Sequence, residues 1–120
     1  MAQIHKLAEM EQWQTLWAAA KAPDAQAALI FKLSPVCPTS HFVEGEFNRF
    51  VGAKPESAKL RIYSVDVIGA RPISRQIAQD TGVTHESPQA LLIVGGQKVA
   101  WHASHGDVDE EALEKHVGSL

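Results

Sequence analysis

The 120-residue sequence predicts an α/β domain, a mixed four-stranded sheet with helices on both faces. Three observations predict it. Segments of helical period alternate with short apolar runs. One run, "QAALIFKL" at 26–33, is nearly continuously apolar and suits a strand buried on both faces, as parallel sheets require. Near the C-terminus, two apolar runs flank Gly95-Gly96, the signal of a tight antiparallel hairpin.

The elements follow in chain order. "EMEQWQTLWAAAK" (9–21) spaces Met10, Trp13, Trp17 and Ala20 as one face of a helix, which Pro23 and Asp24 end. The strand at 26–33 comes next. "PTSHFVEGEFNRFV" (38–51) starts on a proline, puts Phe42, Val43, Phe47 and Phe50 on one stripe, and reads as a helix. Gly45 inside it costs about 1 kcal/mol against alanine, which suggests a close packing contact there. "AKLRIYSVDV" (58–67) alternates as a second strand. "ARPISRQIAQDTG" (70–82) is a helix with Pro72 in its first turn and Gly82 just past its end. "QALLIV" (89–94) and "QKVAWHAS" (97–104) form the hairpin. "DVDEEALEKHV" (107–117) is a final helix, with Asp107 as N-cap and Glu110 three residues on. Its early acids and its late Lys115 and His116 suit the helix dipole.

Strands one and two are joined by a helix and are therefore expected to be parallel. Strands three and four are antiparallel. This order is the layout of the thioredoxin fold, here as one domain over residues 1–120.

Composition excludes several functions. Hydrophobic residues make up 45%, enough for a core. Eleven basic against fourteen acidic residues give a net charge of −3, with no basic stripe to bind nucleic acid. No apolar run approaches the ~20 residues that cross a bilayer. The N-terminus carries Glu9 and Glu11 and lacks the apolar core of a signal peptide. One cysteine cannot form an intrachain disulfide, and a reducing, cytoplasmic location is expected.

That cysteine, Cys37, lies where the first strand ends and the next helix begins, with Pro38 at the first helical position. First-turn amides have no intrahelical partners and stabilise a thiolate over a thiol. Cysteines so placed can have their pKa lowered to roughly 3.5–7.5 from about 8.5. No acid lies within five residues of Cys37, and Lys32 and His41 are the nearest chargeable groups. The plainer alternative is a buried structural cysteine. Ser40, on the sulfur's side of the helix, can donate to the thiolate or bond to backbone. His41 can add charge near the thiol or simply be exposed.

Ser87-Pro88 precedes a strand, and a proline there cannot donate to the ladder. The thioredoxin fold has a cis-proline at this place beside the active cysteine, and the residue before it offers backbone to an extended substrate. Pro88 and Ser87 are the candidates. His85 and Glu86, just upstream, can meet an amine or carboxylate of a thiol ligand, or form a solvated loop. His102 and His105 have an H-x-x-H spacing but too few companions for zinc, and no metal is expected. Trp101 reads as core or sheet cover.

These residues resemble a known family. "SPVCPTS" is similar to the Cys-Pro-x-Ser segment of the monothiol bacilliredoxins, small bacterial thioredoxin-like proteins also described as general stress proteins. "HESPQALLIVGGQKVAWHASH" (85–105) is similar to the family's second signature. The resemblance spans about Trp13 to Val117. The family has Thr before the cysteine and Ile between Pro and Ser; Val36 and Thr39 stand here, changes that bear on substrate preference. The resemblance implies a monothiol thiol-disulfide oxidoreductase that removes bacillithiol, a low-molecular-weight thiol, from S-bacillithiolated proteins. Carried onto this sequence, it makes Cys37 the attacking thiolate, Pro88 the cis-proline and bacillithiol a co-substrate. Read from their places beside these two, Ser40 is a candidate catalytic companion, and Pro38, Thr39, His85, Glu86 and Ser87 join Pro88 as candidate substrate-binding residues. Three other readings stay open at this point: a glutathione-dependent glutaredoxin-like protein, an iron–sulfur cluster carrier, and a redox-inactive adaptor.

Overall fold

The computed structural model describes residues 2–120. Its sheet has five strands, one more than the sequence predicts, in the order β1-β3-β2-β4-β5. The added strand is β1 (Ile4–Lys6), which pairs parallel with β3 (Leu60–Asp66) at the sheet edge. Three residues are too few to show alternation, and His5 and Lys6 hide the signal further. β2 (Ala27–Leu33) lies in the sheet's centre, parallel to β3 on one side. On its other side it runs antiparallel to β4 (Gln89–Val94), which pairs in turn with β5 (Lys98–Ser104).

Alternation along β2 builds two cores. Ala27, Leu29 and Phe31 face α2 (Pro38–Ala53) and α4 (Glu110–Val117), where Phe31 stacks on Phe47 with ring centroids 4.2 Å apart. Ala28 and Ile30 face α1 (Met10–Ala19) and α3 (Arg71–Thr81). Trp13 is fully buried there, and its indole N–H donates to Asp80 Oδ2 at 2.8 Å.

Several local expectations change. Phe42 leaves the α2 stripe and is 69% exposed; the buried face is Val43, Phe47, Phe50 and Val51. A Cβ on Gly45 would meet only Arg49 Nη1, at 3.7 Å, so no close packing explains that glycine. Asp107 does not cap the last helix. Residues 105–107 form a short 3-10 turn, and Asp109 is the N-cap, its Oδ1 accepting from the Ala112 N–H at 2.8 Å. Gly82 ends α3 in the left-handed conformation with φ 74°, as its place predicts. The β4–β5 connection has three residues rather than two glycines alone, since Gln97 joins Gly95 and Gly96 in the turn. Gln97 docks the hairpin on α1: its N–H donates to the Ala20 carbonyl at 2.8 Å and its Nε2 to the Trp17 carbonyl at 2.9 Å. These are helix-end carbonyls that lack intrahelical donors. Trp101 covers the sheet and stacks on His116 of α4 with centroids 4.8 Å apart.

Candidate active site

Cys37 is the N-cap of α2, with extended backbone (φ −95°, ψ 124°). Pro38 imposes that conformation, because a residue before proline is pushed out of the helical region. Pro38 itself loses nothing at N1, where an N–H would have no partner. The Cys37 N–H donates to the Ser34 carbonyl at 3.3 Å, and its carbonyl accepts from the His41 N–H at 3.1 Å. The thiol is half-buried.

The pKa of Cys37 is lowered. The backbone N–H of Ser40 is the largest cause, partial burial opposes it, and the Thr39 N–H and the hydroxyls of Ser40 and Thr39 assist. The sulfur makes no cap hydrogen bond as it stands, so these groups act on it as unsatisfied dipoles that a thiolate would engage. The charge of His41 is not among the causes, and the ring is exposed on α2.

Ser40 is 1% exposed, and its Oγ accepts from the Ser34 N–H at 3.1 Å. The two roles weighed for it from sequence are compatible. The oxygen binds backbone, and the hydroxyl proton stays available on the sulfur's side. Pro38 and Thr39 are exposed beside it.

The loop 84–88 lies at the same end of the sheet. Gln89, the first residue of β4, pairs with Lys32, one residue before the end of β2, and β2 leads directly into the Cys37 turn. The Ser87–Pro88 bond is cis, and Pro88 is buried. The Pro88 carbonyl accepts from the His105 N–H at 2.8 Å, whereas the Ser87 N–H and carbonyl have no backbone partner among the described residues. The Ser87 hydroxyl is buried and likewise unpartnered among them. Buried Gln89 steadies the loop by donating from Nε2 to the Thr84 carbonyl at 3.0 Å. Glu86 pairs with His105 Nε2 at 3.0 Å, an exposed contact worth little by itself. His85 turns Nδ1 inward, 3.3 Å from Lys32 Nζ and 3.2 Å from Ser74 Oγ. Among the described residues, no group of three or more His, Cys, Asp or Glu is placed to hold a metal. Among the described residues, no helix is long and apolar enough to cross a membrane either.

Sequence reasoning missed two features of this end of the molecule. One is a set of exposed apolar side chains: Val36 (77%) beside Cys37, Phe42 on α2, and Ile68 in the β3–α3 loop. The Val67 N–H donates to the Leu33 carbonyl at 3.0 Å, which holds that loop against the Cys37 turn. The other is Lys32, fully buried although it carries a charge.

The family model described as Monothiol bacilliredoxin BrxC matches residues 5–113. The chain belongs to the monothiol bacilliredoxin family. Among solved structures, this bacilliredoxin-family chain is similar to a thioredoxin-fold chain proposed to be an oxidoreductase, at 28% identity and TM-score 0.76, covering 94% of this chain and 92% of that one. It is also similar to thioredoxin NaTrxh from Nicotiana alata (17% identity, TM-score 0.72, 98% and 92% covered). Mitochondrial thioredoxin 3 from Saccharomyces cerevisiae gives 20% identity and TM-score 0.66, with 98% and 95% covered. The last two likenesses concern the fold. The fold class expected from element order is the thioredoxin fold found here, with the fifth strand as the amendment. The bacilliredoxin family and this fold make the chain a thioredoxin-like protein of thiol redox type.

Proposed function

We propose that this protein, acting as one thioredoxin-like domain, removes bacillithiol from protein mixed disulfides by monothiol exchange through Cys37. The observation that carries the reading is the chain's single thiol at the N-cap of α2, its pKa lowered by first-turn donors. Membership of the monothiol bacilliredoxin family is the reason to take bacillithiol, rather than glutathione, as the small thiol in this reading.

The chemistry follows from one cysteine. The Cys37 thiolate attacks the bacillithiol sulfur of the mixed disulfide. The old S–S bond breaks, the target protein leaves as a thiolate and takes a proton, and a Cys37–bacillithiol disulfide forms. No net oxidation occurs in this step. Ser40 cannot resolve the adduct, so a second bacillithiol attacks it, which frees Cys37 and leaves oxidised bacillithiol. A lowered pKa raises the thiolate fraction, and the optimum lies near ambient pH because nucleophilicity falls as pKa falls. Ser40 stabilises the thiolate, both attacking and leaving. Pro38, Thr39, Ser87 and Pro88 contact the disulfide and its flanking chain, Ser87 through its unpartnered backbone. His85 and Glu86 meet the small thiol. Val36, Phe42 and Ile68 give a protein substrate an apolar rim to rest on. His41 takes no part in lowering the thiol pKa in this account.

The test is release of free thiol from a bacillithiolated protein in the presence of excess bacillithiol, with a glutathionylated protein alongside. Faster release from the bacillithiolated protein is expected, and with Cys37→Ala only the background rate of free bacillithiol attacking the disulfide. Equal or faster release from the glutathionylated protein would replace bacillithiol by glutathione in this reading.

A further inference from the structure

We propose that buried Lys32 is a positioning residue that fixes His85 as its neutral Nε2–H tautomer, so that the 84–88 loop offers an N–H donor to a carboxylate of the small thiol. The ligand half rests on the de-thiolation reading above; the tautomer half stands without it.

Lys32 is 0% exposed and points to the α1/α3 face of β2, across the sheet from α2. Its Nζ donates to the Ser74 carbonyl at 3.0 Å and lies 3.3 Å from His85 Nδ1. The Ser74 hydroxyl lies 3.2 Å from the same nitrogen. Among the described residues, no carboxylate pairs with the lysine. A buried ammonium without a counter-ion is expensive, and a methionine would fill the space without that cost. The lysine's contacts are therefore the feature to explain.

An ammonium has three donors and no acceptor. Burial lowers the Lys32 pKa to about 8, so at pH 7 it remains mostly charged. The facing nitrogen, Nδ1, must then hold a lone pair, which leaves the ring's proton on Nε2. A second charge on the ring is disfavoured by burial, by Lys32, and by Arg71 and Arg75; Glu86 alone among the acting charges favours it. Glu86 is itself paired with His105. The residue is exposed overall although Nδ1 faces inward, and Nε2 has no partner among the described residues. The loop stands at the end of β2 from which the Cys37 turn springs. A fixed N–H donor there takes an acceptor, and a carboxylate is the strongest acceptor that the small thiol carries.

The tautomer is read by long-range proton–nitrogen NMR of protein labelled with nitrogen-15 at histidine, at pH 7. The expected wild-type pattern is a protonated Nε2 and an unprotonated Nδ1 at His85. Lys32→Met shifts it towards a mixture of tautomers. A protonated Nδ1 in the wild type, or an unchanged pattern in Lys32→Met, overturns the positioning role. The wild-type spectrum decides the tautomer even if the variant does not fold. The ligand is read from His85→Asn, whose Oδ1 keeps an acceptor facing Lys32 while its shorter amide leaves no donor at the Nε2 position. Its kcat/KM should fall about tenfold on a bacillithiolated protein, as for a lost hydrogen bond to a charged group, and hardly at all on a cysteamine adduct, which has no carboxylate. Equal losses on both adducts overturn carboxylate recognition. Failure of the wild type on every adduct would sink the de-thiolation reading and the ligand half with it, leaving the NMR result to judge the tautomer.

Discussion

The Ser34 N–H donates to the Ser40 hydroxyl at 3.1 Å and ties the loop before Cys37 to the helix that follows it. The same hydroxyl helps to lower the thiol pKa, while the larger contribution comes from the Ser40 backbone N–H. Ser40→Ala removes the hydroxyl and keeps the amide. The Cys37 pKa should therefore rise only part of the way to its ordinary value, with alkylation at pH 7 slowed a few-fold. The loop bond is also lost, at about 1 kcal/mol of stability. Because the folded-state pKa is depressed, the thiolate's stabilising effect is present above the unfolded pKa and fades as pH falls through the folded one. Iodoacetamide rates against pH for wild type and Ser40→Ala check both the direction and the size.

Lys32 yields a pH dependence of the opposite origin. Burial lowers its pKa from 10.5 to about 8. Between those values the unfolded chain binds more protons than the folded one, so this group makes stability rise with pH across that window. Below about pH 8 the penalty is complete, roughly 3 kcal/mol. Lys32→Met should be more stable than wild type at pH 7 by about 1–3 kcal/mol, since the lysine's hydrogen bonds are lost with its charge. The advantage should shrink towards pH 10. Urea unfolding at a series of pH values measures it, and a constant difference between the two proteins would contradict the account.

Phe47 anchors the helix that carries Cys37. It is 2% exposed and stacks on Phe31 of the central strand. Phe47→Ala should cost about 3–5 kcal/mol, as for other buried aromatic truncations. Denaturant unfolding gives the value.

The hairpin turn contains two glycines with different reasons to be there. A Cβ on Gly95 would lie 2.3 Å from the Pro23 carbonyl oxygen, backbone against backbone. Gly96 has open space but φ 82°. Gly95→Ala should lose about 1–3 kcal/mol and loosen the hairpin from α1, whereas Gly96→Ala should lose about 1–2 kcal/mol without loosening it. Exchange protection of the Gln97 N–H, which donates to Ala20, separates the two.

Where the sequence was legible, the reason is periodicity or a residue of special geometry. The continuous run 27–33, the face of Val43, Phe47 and Phe50, and Gly82 each marked its element. Cys37 and Pro38 announced a strand-to-helix junction by chemistry that no tertiary contact alters. β1 was not legible because three residues carry no period and its partner Ile62 stands about half the chain away in sequence. Phe42 was misplaced because an aromatic next to a stripe resembles a member of it. The last helix's cap was misplaced because 105–107 tightens into a 3-10 turn that helical spacing does not foretell. Lys32 was read only as a nearby charge, since its partners Ser74 and His85 stand 42 and 53 residues away. Its depth is a tertiary fact.

The most direct test of the central claim is intact-mass spectrometry of the protein after brief incubation with a bacillithiolated protein and no free thiol. The account predicts one bacillithiol adduct on Cys37, an equal quantity of reduced target, and no adduct in Cys37→Ala. An unmodified Cys37 with the target still fully bacillithiolated would contradict it.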